Sequence, residues 1–173
     1  MESLMPRAGR STLPPTVAYG EWVGPHIAVM RALATRLSSP TEADDITQEA
    51  LASAWRLRSR FDESRGSARS WLLMLTVNEV RRHRRRSRQV PPPYPEIPED
   101  GAADVLADLD LRAAIGHLTM RQQTAVAAYY YLDLPVDEVA TVMDCSPGTV
   151  KSTLAAARER LHALLQKETD DAS

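Results

Sequence analysis

Apolar residues recur along this 173-residue chain at intervals of three and four rather than in alternation, the spacing of helices with one buried face. From Glu21 onward, Ile27, Met30, Ala34 and Leu37 share a face and predict a helix ending at Ser38-Ser39-Pro40. Ser39, with Pro40 at the first helical position and Glu42 three residues on, is a capping-box signature. The helix it opens, Thr41 to about Arg58, has Ile46, Ala50, Ala54 and Leu57 as a core stripe, with Leu51 and Trp55 alongside. Phe61 to Ser67 is rich in turn formers. Gly66-Ser67 then suits the cap of a helix over Ser67–Arg88, whose apolar residues are Leu72, Leu75, Val77 and Val80. Met1–Gly20 has no period and reads as a largely disordered leader.

After Arg88 comes QVPPPYPEIPEDGAAD, with five prolines and no helical period, which predicts an extended, semi-stiff linker. The helical pattern resumes with Leu111, Ile115 and Leu118. Thr119 with Gln122 is a second capping box, opening a helix to about Leu132 that carries Tyr129, Tyr130 and Tyr131 on partly buried surface. A short helix over Pro135–Met143 turns Val136, Val139, Ala140 and Met143 inward. Asp144-Cys145 is a turn; Ser146 caps and Pro147 starts a last helix with Val150, Leu154, Leu161 and Leu165 on its buried side. The expected fold is all-α with two small helical domains, 21–88 and 108–167, a leader 1–20, a linker 89–107 and a tail 168–173.

Charge sharpens this outline. The formal net charge is only −2, but six arginines lie among the eight residues Arg81–Arg88. No Lys or Arg then occurs until Arg112, while Glu96, Glu99, Asp100, Asp104, Asp108 and Asp110 fall between. A basic block beside an acidic one points to a polyanionic partner and an acidic linker. Cys145 is the one cysteine, which excludes an internal disulfide framework and a Cys-based zinc site. The four histidines have no ligand-like spacing, and no paired carboxylates or nucleophile constellation emerges, so neither metal, cofactor nor enzyme activity is expected. No apolar run approaches the roughly 18 residues of a membrane span and no signal-peptide core stands at the N-terminus; a cytoplasmic protein is expected.

Three polar surfaces stand out on the predicted helices. On Ser67–Arg88, a helical period places Trp71, Met74, Asn78, Arg81, Arg82 and Arg85 on one stripe. Such a stripe fits a core tryptophan on a helix with a solvated basic end. It equally fits a single-strand surface, with an aromatic to stack, an amide to hydrogen-bond bases and guanidiniums for phosphates. On Thr41–Arg58, Asp44, Asp45, Gln48 and Glu49 form a compact acidic stripe. Part of it is explained by the preference of carboxylates for a helix N-terminus; the other explanation is a docking surface for a basic partner. The last two helices, with the second opening Ser-Pro-Gly-Thr-Val-Lys-Ser, read as a helix-turn-helix. Thr149, Lys151, Ser152 and Thr153 then lie where such helices meet DNA, and Lys151 and Arg158 serve the backbone.

The stretch Glu42–Glu49, then Trp55, Arg60–Ser67, Trp71-Leu72 and Asn78, closely resembles region two of the extracytoplasmic-function (group four) sigma factors of bacterial RNA polymerase. Arg121–Gln123, Tyr130, Leu134, Asp137–Ala140 and Gly148–Ser152, ending near Arg158 and Leu161, resembles their region four. Each motif is moderately specific, but the two in this order across a short linker are highly specific. The resemblance implies that Asp44, Asp45, Gln48 and Glu49 dock on the clamp coiled coil of the largest subunit of core RNA polymerase. It implies that the loop Phe61–Arg69, with Phe61, Asp62, Arg65, Ser67 and Arg69, takes a flipped base of the minus-ten element. Trp71, Asn78, Arg81, Arg82 and Arg85 would hold the separated strand. The second domain would read the minus-thirty-five element of promoter DNA as duplex, the linker would thread the RNA exit path, and an anti-sigma factor would mask both domains.

The sequence departs from that pattern after Lys151-Ser152. Thr153-Leu154-Ala155-Ala156-Ala157 stands where further long basic side chains are usual, which predicts weak or narrow upstream readout. Asp133 stands where the family often has glycine. The other readings are a conventional helix-turn-helix regulator with a sensing or dimerising first domain, and an adaptor binding proteins alone. The acidic and basic stripes argue against the first of these.

Overall fold

The computed structural model describes residues 16–87 and 111–171, residue 112 excepted. The expected linker, most of the expected leader and the end of the expected tail lie outside the described residues. Helix α1 (Thr16–Leu37) is followed by α2 (Pro40–Leu57), two single 3-10 turns (Arg58–Arg60 and Glu63–Arg65) and α3 (Ala68–Ser87). A short helical turn at 113–116, here α4, leads to α5 (Met120–Val126), a π-helical turn (Ala127–Tyr131), α6 (Val136–Met143) and α7 (Pro147–Asp171). All regular structure among the described residues is helical, as the periodicity predicts.

Local chemistry sets the boundaries. Ser39 caps α2, its hydroxyl accepting from the Glu42 amide at 3.3 Å and donating to the Glu42 carboxylate at 2.8 Å, with Pro40 in the first turn. Thr119 and Gln122 close a complete capping box on α5. Ser67 accepts from the Ser70 amide at 3.1 Å and so caps α3. The chain leaves α6 through Asp144 in the left-handed region (φ 50°), which an aspartate side chain tolerates better than most. Asp133, at φ 51°, takes up the same conformation where a glycine is the usual solution.

Two boundaries differ from the sequence expectation: α7 runs on to Asp171, into the expected tail, and α1 starts early. α1 begins at Thr16, inside the expected leader, and passes through Gly20, Gly24 and Pro25. Those residues erase the sequence signal because they are poor helix formers. Tertiary contacts override them: the Tyr19 hydroxyl donates to the Leu51 carbonyl at 2.7 Å, and its ring meets Trp55 edge-on. Burial pushes the Tyr19 hydroxyl pKa upward, partly countered by the charge of Arg58.

α1, α2 and α3 pack together as one bundle, α5 to α7 as another, and α3 also lies against α6. The buried apolar residues therefore form one continuous cluster, from Val23 in α1 to Leu154 in α7. α3 is the central element. Ser70, Leu72, Leu73, Leu75, Thr76, Val77, Glu79 and Val80 are all buried, an arc covering more than half its circumference. Few polar groups sit in that arc. Glu79 is satisfied by Ser53 of α2 at 2.7 Å and by Arg82 at 2.7 Å, so a buried charge is paired and hydrogen-bonded.

Candidate nucleic-acid interface

The arc of α3 that burial leaves open is the predicted stripe. Trp71, Met74, Asn78 and Arg81 are half-buried, while Arg82 and Arg85 are exposed. A single helix face thus runs from an aromatic through an amide to guanidiniums, on an element whose other side is fixed in the core. Rigid placement of this kind is what a strand-holding surface requires, because side chains need not be ordered at the moment of binding. Not every arginine is unengaged: Arg82 also reaches Glu79, and Arg85 Nε donates to the Arg81 carbonyl at 3.3 Å.

The loop before α3 is more structured than its composition suggests. Asp62 accepts from the Ser64 amide (3.0 Å) and hydroxyl (2.7 Å), which, chiefly through that hydroxyl, holds its carboxyl below the usual range. The Ser67 hydroxyl is committed to Ser70. Gly66 adopts φ 154°, open to glycine and strained for other residues. Asp62, Arg65 and Ser67 are exposed.

Two residues expected at the strand make contacts within the protein. Phe61 is buried, 8% exposed, with its ring 5.4 Å from both Trp22 and Trp71. Ring burial of this kind removes apolar area from water, so Phe61 braces the two tryptophans. Arg69 donates to the Leu132 carbonyl at 3.4 Å across the join between the bundles. Its charge also lowers the pKa of His26 on α1, which burial depresses first. Trp71 meets both descriptions offered by the sequence, since it packs on Trp22 and Phe61 yet stays half-open. Trp22 was not singled out from the sequence. The available signal is that all three tryptophans of the chain fall in its first half.

On α2, Asp44, Asp45, Gln48 and Glu49 are all exposed, while Ile46, Thr47 and Ala50 beside them are buried. Asp44 is ion-paired with Arg31, which lowers the pKa of its carboxyl. Asp45, Gln48 and Glu49 share a shallow surface depression with Glu79, His83 and Arg86 of α3. Carboxylates and the basic end of α3 therefore lie side by side. Nearby, His83 meets Glu42 at 2.9 Å. Burial alone pushes the Glu42 carboxyl upward, but hydrogen bonds from Ser39 and His83, with the charges of His83 and Arg84, bring it below its usual range.

In the second half, α6 and α7 form the expected helix-turn-helix. Ser146 caps α7 by accepting from the Thr149 amide at 3.2 Å. Lys151, Ser152 and Arg158 are exposed; Thr149 and Thr153 are half-buried. The hydroxyls of Ser152 and Thr153 donate back to the Thr149 carbonyl (3.0 and 2.7 Å), and Arg158 reaches the Tyr130 hydroxyl at 3.4 Å. Lys151 is thus the long cation of the α7 N-terminal turns, and Ala156, exposed one turn after Ser152, contributes no polar group.

Comparison with known proteins agrees with this geometry. The sigma-70 region 2 family matches residues 25–90, and the sigma-70 region 4 family matches residues 108–161. The extracytoplasmic-function sigma factor SigC of Mycobacterium tuberculosis is 35% identical over 142 residues, spanning 78% of this chain and 75% of that protein. SigL of the same species is 28% identical over 152 residues, 82% of this chain and 85% of its own. The sigma factor RpoE of Bartonella quintana, solved in complex with the anti-sigma factor NepR, superposes with a TM-score of 0.65 at 25% identity, covering 86% of this chain and 96% of that one. The all-α fold, the two helical bundles in this order and the matched sequence agree: the chain belongs to the extracytoplasmic-function sigma factors, which act in transcription initiation.

Proposed function

We propose that this chain directs core RNA polymerase to its promoters in the cytoplasm by dividing the work between its two halves. Residues 21–88 dock on the polymerase through Asp44, Asp45, Gln48 and Glu49 and hold the opened minus-ten strand. Residues 108–167 contact the minus-thirty-five duplex through Thr149, Lys151, Ser152, Thr153 and Arg158, with residues 89–107 as the connection. The polymerase contact is the clamp coiled coil of the largest subunit, and an anti-sigma factor is the natural inhibitor, as NepR is a partner of RpoE. No described helix is long and apolar enough to cross a membrane.

The observation that carries this reading is the single open arc of α3. A helix buried around most of its circumference leaves uncovered the one face with Trp71, Asn78 and the arginines. Within it, Asn78 and Arg65 of the loop act once the duplex is open, and Arg81, Arg82 and Arg85 act through phosphates at loading. Stacking is worth about 1–3 kcal/mol per base and extruding a base costs a few kcal/mol, so one lost contact tips melting.

The test is run-off transcription with core polymerase on duplex and pre-melted bubble templates. Asn78→Ala is expected to impair the duplex template and to be largely rescued by the bubble. Equal defects on both would make this face structural. The docking half of the reading is checked separately. Asp45→Arg with Glu49→Arg changes two exposed side chains, so helical content by circular dichroism should hold while affinity for core polymerase is lost; undiminished affinity would remove the anchor from α2.

A further inference from the structure

The match to sigma-70 region 2 begins at residue 25, but α1 begins at Thr16. The turns ahead of the match carry Tyr19 and Trp22. Trp22 of α1, Phe61 of the loop and Trp71 of α3 close a triangle of rings. Their centroids lie 5.4 Å apart for Trp22–Phe61 and Phe61–Trp71, and 6.0 Å apart for Trp22–Trp71. Trp22 therefore touches both ends of the interval 61–71, which holds the exposed loop residues Asp62, Arg65 and Ser67. Behind it, Tyr19 meets Trp22 at 6.0 Å and is itself tied to α2, by the Trp55 ring at 5.0 Å and the Leu51 carbonyl at 2.7 Å. The helix that presents these two rings is weak by composition, since Gly20, Gly24 and Pro25 are poor helix formers. Neither Gly20 nor Gly24 has a positive φ, and nothing lies within 4 Å of where a Cβ on either would stand. Packing and backbone therefore require neither glycine, and the first turns of α1 are ordered chiefly through their rings.

We propose that Trp22 is a positioning residue for strand capture: anchored by Tyr19, it fixes Phe61 and Trp71 and so sets the shape of the loop between them before a strand arrives. A loop already in its bound shape has little freedom left to lose on binding. Strand affinity then follows the order of the first turns of α1, although those turns carry no group that touches DNA. The effect is confined to capture. Asp44, Asp45, Gln48 and Glu49 lie nearer the start of α2 than Leu51 and Trp55 and take no part in the ring contacts, so docking on core polymerase is independent of Trp22. This inference rests on the assignment of the loop and of the open face of α3 to strand binding.

The test measures two affinities of the full-length chain: for core polymerase, and, once bound to it, for a labelled single strand of mixed sequence. The second is read by fluorescence anisotropy, with core polymerase alone as background. Trp22→Ala is expected to weaken strand binding several-fold and to leave affinity for core polymerase unchanged. Trp22→Phe keeps a ring at the same place and is expected to recover most of the loss. Gly20→Ala with Gly24→Ala should act in the opposite direction, tightening strand binding by stiffening the start of α1 while docking stays the same. This gain also decides the matter if Trp22→Ala fails to fold. Unchanged strand binding in Trp22→Ala, an equal loss of both affinities, or no gain from the glycine pair would each overturn the proposal. Asn78→Ala separates it from the reading beneath it. If Asn78→Ala weakens strand binding and Trp22→Ala does not, only the positioning role fails. If neither weakens it, the strand is held elsewhere, and the site assignment fails with the positioning role.

Discussion

The two halves of this chain are assembled from different material. The first is held by large rings: Tyr19 meets Trp22 and Trp55, and Trp22, Phe61 and Trp71 meet one another, with centroids 5.0 to 6.0 Å apart. These contacts tie α1, α2, the loop and the start of α3 into one piece. The core of the second half is rich in small residues, with Ala114, Ala125, Ala127, Ala128, Ala140 and Ala157 all buried among leucine and valine. Small side chains bring helix backbones close but give little area to each contact. Ring pairs are worth about 0.5–1.5 kcal/mol beyond their burial, so the first half can hold a loop in one shape against the pull of a bound strand. The second half positions a recognition helix whose surface is itself sparse. Under the proposed roles this is a division of labour: the rigid half is the one proposed to capture bases, and the half proposed to read duplex has few polar side chains to do so.

The largest expected effect comes from removing a strut. Phe61→Ala deletes a ring that is 8% exposed and contacts two tryptophans. Large-to-small core changes of this type cost about 3–5 kcal/mol, and urea denaturation of the full chain measures the loss. A loss well below 1 kcal/mol, on the scale of a surface substitution, would mean the rings are loosely packed, and the contrast between the halves would dissolve.

The converse change probes the second half. Ala157 is fully buried on the face of α7 that carries Val150 and Leu154. Ala157→Leu adds volume at a fully buried position inside the second bundle and is expected to cost about 1–3 kcal/mol by overpacking. A neutral or stabilising result in the same denaturation experiment would show slack packing there, and would sharpen the comparison by making the second half the softer body as well as the smaller-grained one.

Much of this arrangement is legible in the sequence because it is local. The caps at Ser39 and Thr119 announce themselves through short-range hydrogen-bond patterns, and the stripe Trp71, Met74, Asn78, Arg81 follows from helical period alone. What the sequence conceals is tertiary. Helix α1 is unreadable at its start because Gly20, Gly24 and Pro25 mask a segment that Tyr19 anchors through the Leu51 carbonyl. Leu111 shares a period with Ile115 and Leu118 yet is exposed, while Ala114 takes the buried position. Phe61 belongs to a motif expected to face DNA, but its neighbours Trp22 and Trp71 come from distant positions and draw it inward. Nothing in the linear pattern says that α3 has a second partner in α6, so the role of Arg69 at the join is invisible until the halves are seen together.

The smallest expected effect tests the sparseness of the duplex reader. At the start of α7, Lys151 is the exposed long cation, whereas exposed Ser152 and half-buried Thr153 donate inward to the Thr149 carbonyl. A lysine used as a point charge contacts phosphate and carries no base preference. Lys151→Ala should therefore weaken binding by about the same factor on every upstream sequence and lower the salt slope of binding by about 1, the signature of one lost phosphate contact. The measurement is duplex affinity of the polymerase-bound chain against a panel of minus-thirty-five variants at several salt concentrations. If single base changes cost about 1–3 kcal/mol each, as bidentate contacts do, and Lys151→Ala abolishes that discrimination at one position, then α7 reads bases directly. The second half would then be as specific as the first is rigid. A uniform loss with an unchanged sequence ranking is the expected outcome, because Ala156 and the inward-turned hydroxyls leave the helix few polar atoms to aim at a base edge.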